Sequence, residues 1–244
     1  MGTHDIQKSN SIEYSVTGLD LLRTVGNELK LPLMHISNSA SLLKDGDFSE
    51  DARLAQYAQL EMSSRRMIQI IDSVLFAGQV ETHQTSLNLE PTNVASVVHT
   101  VMNDCRELAI KYDKQMTMRI TQELSPAAVD PTALRYSLFG LIDMLIRSSE
   151  STEILLLIHH QADSVMITLK DNGPAISLKQ IQSAFKRLGK ATRPVKQLPN
   201  TTGMAFYVAF SLSRAMGGDL AINQSGEERR LSLKLPLSQQ LELM

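Results

Sequence analysis

Cysteine occurs once, at Cys105, in a chain of 244 residues. A single thiol excludes an internal disulfide and a cysteine metal site, and a reducing, cytoplasmic compartment is the expectation. An excess of charge of one sign is also missing. The formal net charge is −2, which offers no field for nucleic acid or for an anionic membrane. No apolar run approaches the length of a membrane span. The opening residues, MGTHDIQKSNSIEYS, are polar and carry no apolar segment of the signal-peptide kind. There is no internal repeat, and no Ser/His/Asp or Cys/His arrangement follows from spacing. Apolar content is ample at 43%, enough for a core in one large or two small domains.

Residues 1–14 are rich in polar side chains and are expected to form a disordered leader. From Leu22, apolar residues recur at Val25, Leu29, Ile36, Ala40 and Leu43, with Leu33 between Leu29 and Ile36. Steps of three and four predict a helix with one apolar seam, ending at the turn Lys44-Asp45-Gly46-Asp47. Ser49 is placed to cap a second helix, with Glu50 and Asp51 in its first turn. That helix carries Leu54, Tyr57, Leu60, Met67, Ile71 and Val74 and extends to about Val80. A hairpin with a full-length seam does not cover both of its helices alone, so pairing with a second copy into a four-helix bundle is expected.

After Glu81 the texture changes. Ser86 to Glu90 reads as a strand, and Pro91-Thr92-Asn93 announces a helix to about Lys111. Met116 to Thr121 is a second strand, and Asp130-Pro131 opens a long helix. Strands are predicted over Glu153 to His159 and Ser164 to Asp171, the latter alternating at Val165, Ile167 and Leu169. A helix near Leu178 to Leu188, a basic loop, a helix from Gly203 to Met216 and strands near Asp219 to Asn223 and Arg230 to Leu235 follow. The expected fold class is α+β: a helical hairpin forming a dimeric four-helix bundle, then an α/β sandwich with helices on one face of a sheet.

Four segments carry a resemblance. Gly26-Asn27-Glu28-Leu29-Lys30-Leu31-Pro32-Leu33 is similar to the phosphoacceptor segment of sensor histidine kinases, roughly His-Glu-Leu-Arg/Lys-Thr-Pro-Leu. VDPTALRYSLFGLIDMLIRSS resembles that family's asparagine box, DNGPAI its first glycine box, and TTGMAFYVAFSLSRAMGGDL its second. The segment Met62 to Leu75 is similar to the second helix of the family's dimerisation domain. The order and spacing of these motifs identify the chain as resembling a histidine kinase from about residue 18 to 238. The resemblance implies a dimerisation hairpin over 15–82 and a histidine-kinase-like ATPase domain over 83–244.

Residue by residue, the resemblance implies that Asp171 accepts from an adenine amino group and that Gly173 leaves room for the base. Thr202 and Gly203 would stand by the phosphates. Thr201 and Ala205 occupy glycine positions of the second box, and Ala175 one of the first. ATP is therefore the implied cofactor, with its binding left open. A strand-ending turn at Asp171-Asn172-Gly173 is the plainer alternative. Met144 stands where the family asparagine helps hold Mg²⁺, and a thioether is a poor ligand for that hard ion. A core or pocket-wall role for Met144 is preferred. Gly140 replaces another asparagine, and Asp143 lies one helical step, about 100°, away from Met144. Lys186, Arg187, Lys190, Arg193 and Lys196 fall in and before the loop corresponding to the ATP lid, as phosphate attractors or as a solvated loop.

Asn27 stands where the family carries its reactive histidine. A carboxamide nitrogen has its lone pair delocalised and is not a usable nucleophile. Taking Val25 and Leu29 as inward, Asn27 faces out, with Leu31 and His35 on the same stripe and Met34 beside them. Leu31 replaces the Thr or Asn that positions a dephosphorylating water. The expectation is a pseudokinase of two-component (phosphorelay) signalling that acts by dimerisation and partner binding, catalytic residues none. A response regulator receiver domain or a second histidine kinase would dock on Asn27, Leu31, Met34 and His35; nucleic acid and membrane are not expected partners. The alternatives are an active ATP-dependent histidine kinase, or a phosphotransferase with His35 as an unorthodox acceptor; the family's acid next to the acceptor is kept as Glu28, adjacent to Asn27, and His35 has no such acid after it. His159 and His160 read as a strand end, not a metal site.

Overall fold

The computed structural model describes residues 18–46, 48–173, 203–225 and 228–238. The expected leader over 1–14, the helix near Leu178 to Leu188 and the basic loop lie outside the described residues. Helix α1 spans Gly18–Asp45 and includes Pro32. Helix α2 spans Glu50–Glu81, and Ser49 caps it by accepting from the Ala52 amide. The two pack along their length as the predicted hairpin. In the single chain several apolar side chains stay exposed, among them Leu22, Leu33, Leu54, Tyr57, Ile68 and Leu75. No helix among the described residues is long and apolar enough to cross a membrane.

Strands β1 (Glu90–Thr92) and β3 (Ala127–Val129) pair antiparallel as a separate two-stranded sheet. The strand expected over Ser86 to Glu90 is thus displaced toward the C-terminus, because its register is set by a partner 37 residues away, Thr92 facing Ala127 and Glu90 facing Val129. The helix expected to run unbroken to Lys111 is two: α3 (Val94–Asp104), capped by Asn93, and α4 (Arg106–Lys111). Cys105 sits at the break, buried in the core. Helix α5 (Pro131–Ser148) starts as the sequence predicts, with the Asp130 carboxylate accepting from the Thr132 and Ala133 amides and Pro131 in the first turn.

The main sheet has five strands in the order β2-β4-β5-β7-β6, with β2 (Gln115–Ile120), β4 (Glu153–Gln161), β5 (Ser164–Asn172), β6 (Asp219–Ser225) and β7 (Glu228–Pro236). Among the described residues only the β2–β4 pair of this sheet is parallel. Alternation decides which side chains enter the core: Ile154, Leu156 and Ile158 from β4, Val165, Ile167 and Leu169 from β5, and Leu231, Leu233 and Leu235 from β7 are all buried. Helices α3, α5 and α6 (Met204–Ala215) supply the apolar layer against that face. The end of α2 joins this same core through Val74, Ala77 and Val80, and the Tyr207 hydroxyl of α6 donates to Glu81 at 2.6 Å. The hairpin is therefore anchored on the α/β layer and not merely tethered to it.

Candidate functional site

Of the α1 stripe expected to face out, Leu31 and Met34 are exposed, while Asn27 and His35 are half-buried. Asn27 is half-buried, and its amide oxygen accepts from Lys30 Nζ at 2.9 Å, one helical turn on. Leu31 and Met34 are exposed, 45% and 58% respectively, so in this chain neither completes the hairpin core. His35 is half-buried, and its Nδ1 lies 3.4 Å from Gln59 Nε2 on α2. Gln59 in turn accepts from Lys111 at 2.5 Å. Partial burial, with Lys111, Arg147 and Arg66 nearby, lowers the His35 pKa and favours the neutral ring.

Below this stripe, Glu28 and Arg66 of the hairpin meet α5 and α6 around a small cavity. Its walls include Ile70, Phe139, Met144, Met204 and Val208, mostly apolar, with Glu28, Arg66 and Asp143 as the ionised groups. Met144 is 3% exposed, a wall residue as expected. Helix projection had turned Asp143 away from this site. The side chain nevertheless reaches the cavity, because long arginines come to meet it from elsewhere. Arg66 of α2 forks onto the carboxylate with Nε and Nη2, both at 3.2 Å. Arg147, one turn along α5, approaches with Nε at 3.1 Å and Nη2 at 3.3 Å. Arg66 also stands 4.0 Å from Glu28, and Arg147 donates to the Tyr112 hydroxyl at 2.9 Å.

Burial alone would raise the Asp143 pKa, but the two guanidinium charges and their hydrogen bonds outweigh it and hold the group below the usual carboxylate range. An anion so committed, beside a thioether, does not fit the octahedral oxygen shell that magnesium requires. Gly140 has a local reason to be glycine: a Cβ there would lie 3.3 Å from the Cα of Ala205, where α5 and α6 cross. The asparagine and glycine expected at positions 140 and 205 are thus replaced by a close helix contact.

At the far end of α5 the first glycine box meets β7. Asp171 lies opposite Arg229 in the β5–β7 register. Arg229 Nε donates to Asp171 Oδ1 at 2.8 Å and Nη2 to Oδ2 at 2.6 Å, a bidentate pair with both side chains fully buried. Nη2 also donates to Ser148 Oγ at 3.0 Å. Gly173 faces the same guanidinium: a Cβ there would come within 2.6 Å of Arg229 Cζ and 2.8 Å of Asp171 Oδ2. Gly203 precedes α6 with φ +93°, in the left-handed region that favours glycine. Thr202, Ala175 and Thr201 fall outside the described residues.

The structure therefore brings Asn27, Glu28, Leu31, Met34 and His35 onto one helix, and Asp171 and Gly173 together against the Arg229 guanidinium. Arg66, Arg147 and Arg229 escaped the sequence reading, although Arg147 lies one helical turn from Asp143. Arg66 gave no signal, since its partner is 77 residues away. Arg229 did leave one: it continues the inward alternation of Leu231, Leu233 and Leu235, so a charge was bound for the core.

Residues 129–239 match the family model described as histidine kinase-, DNA gyrase B-, and HSP90-like ATPase. The chain is 22% identical over 241 residues to the sensor histidine kinase GacS of Pseudomonas protegens, which covers 95% of this chain but 26% of that protein. It therefore spans about a quarter of that relative's length. Among solved structures it is similar to the histidine kinase AdeS of Acinetobacter baumannii, with a TM-score of 0.58 at 19% identity, over 86% of this chain and 98% of that one. It is also similar to full-length ShkA in complex with AMPPNP, with a TM-score of 0.59 at 18% identity, over 91% of this chain and 47% of that one. Such likenesses speak for the fold, a helical segment followed by a mixed sheet of the ATPase type. Residues 129–239 therefore carry an ATPase-type domain of the histidine kinase-, DNA gyrase B-, and HSP90-like kind, and along nearly its whole length the chain is similar to sensor histidine kinases.

Proposed function

We propose that this chain serves two-component signalling as a pseudokinase, a kinase-shaped scaffold that binds partners and does not phosphorylate itself. The observation that carries this reading is Asn27 at the acceptor position, its amide oxygen taken by Lys30. The carboxamide supplies no nucleophilic nitrogen. Supporting it, Glu28 stands beside Arg66, and the wall expected to hold a metal offers Met144 and an Asp143 already paired with two arginines.

Binding is served by what the stripe presents instead. Leu31 and Met34 offer exposed apolar surface next to Asn27 and His35, suited to a receiver domain or to a second histidine kinase. A separate row on α2, Leu54, Ile68 and Leu75, is exposed at multiples of seven residues, the spacing of a helix seam that a second copy would cover. The direct test is incubation of the purified chain with labelled ATP and Mg²⁺. No acid-labile label is expected, and its appearance on the chain would refute the reading. Sedimentation supplies the companion measurement: replacing Ile68 and Leu75 with Glu is expected to convert a dimer to a monomer, and a monomeric parent chain would remove the dimer from the proposal.

A further inference from the structure

Strand β7 carries Arg229, Leu231, Leu233 and Leu235 on one face, and all four are buried. A fully buried arginine needs a reason, because a lone guanidinium in the core is costly. Here the reason is Asp171, which meets it in a bidentate pair, with Ser148 Oγ taking a further N–H. Both carboxylate oxygens are engaged, so the acceptor implied for an adenine amino group is already supplied with donors from within the chain. The space before Gly173, implied to be left open for a base, is occupied too, since the guanidinium is what a Cβ at that position would strike. A guanidinium and the amino edge of adenine share the relevant chemistry: both are flat, and both present N–H donors to a carboxylate.

We propose that Arg229 is a built-in occupant of the adenine site, so that this domain keeps the ATPase fold while excluding adenine nucleotides. This goes beyond the pseudokinase reading, because a chain without an acceptor is still free to hold nucleotide. A nucleotide can enter only by expelling Arg229 and breaking its pair with Asp171. Vacating the position with a small side chain that still donates a hydrogen bond removes that obstacle, and threonine also suits a strand.

The test is calorimetric titration of ADP in EDTA into the full chain and into Arg229→Thr, with UDP as the base control. EDTA removes the metal from the question. The parent chain is expected to give no saturable binding at millimolar ADP, while the folded variant gains about 100-fold in ADP affinity and nothing for UDP. Micromolar ADP binding by the parent chain would overturn the proposal. So would a folded variant that binds ADP no better than its parent, or one whose gain is equal for UDP. Should Arg229→Thr fail to fold, the parent chain decides by itself through the Arg229 Nε–H resonance. An unchanged resonance at millimolar ADP supports the plug, and a shift that saturates with ADP overturns it. Labelling of the chain in the kinase assay refutes the pseudokinase reading, whereas nucleotide binding without label refutes only this one.

Discussion

Replacing Asp143 with Asn tests the junction between the hairpin and the α/β layer. The substitution keeps the shape and removes the anion that Arg66 and Arg147 share, leaving two guanidinium groups facing each other with little solvent access. Breaking a buried pair by removing one partner costs about 3–5 kcal/mol. The lower end applies here, because Arg66 keeps Glu28 at 4.0 Å and Arg147 keeps the Tyr112 hydroxyl. A loss of about 3 kcal/mol corresponds to a fall in Tm of about 6–12 °C for a chain of this size. The acid dependence gives a sharper signature. The folded pKa of Asp143 is depressed, so its stabilisation is complete above the unfolded carboxylate value of about 3.9 and is lost as pH falls through the lower folded value. Calorimetric scans across acid pH should show the parent chain losing stability in that window and Asp143→Asn losing correspondingly less. A variant as stable as its parent at neutral pH, or one with the same acid dependence, would refute the reasoning.

Other consequences are equally open to measurement. Burial, aided by Asp143 and Asp104, pushes the Cys105 thiol well above its ordinary range, so iodoacetamide should leave the folded chain unmodified and label it fully in urea; rapid native labelling would contradict this. Gly218→Ala would drive a Cβ into the Lys234 carbonyl oxygen and to 3.2 Å from that of Ser213. The expected loss is about 1–3 kcal/mol in a urea titration, and an unchanged midpoint would argue against that close approach. His35 has a lowered folded pKa, so the folded chain should lose stability as pH drops below about 6.5. His35→Gln should flatten that part of the profile, and an unaltered slope would assign it to another group.

Legibility followed the reach of the interactions. Ser49, Asn93 and Asp130 each cap a helix within three residues of themselves, and the sequence placed all three starts. Strands β4 and β5 were readable because alternation is local. The short β1 was misplaced because nothing within it sets its register; its partner β3 does. The break at Cys105 between α3 and α4 was missed: Asn103 and Asp104 before it are weak helix formers, but Arg106, Glu107 and Leu108 after it are good ones, and the thiol's burial is a tertiary fact. At the candidate site, Asn27 and Met144 were visible as substitutions in a known pattern. What fills the places around them, Arg66 beside Asp143 and Arg229 beside Asp171, depends on contacts 77 and 58 residues apart in the chain.

The Arg229–Asp171 pair also bears on the history open to such a sequence. Mutating Asp171 alone strands a cation in the core, and removing Arg229 without a replacement donor strands an anion. Each first step away from the pair lowers stability before any ligand is present to restore it. Drift at either position is therefore checked by folding alone, without selection on signalling. A lineage that had acquired this pair would find it hard to reverse, and would carry both residues forward long after the use of the pocket had ceased to matter.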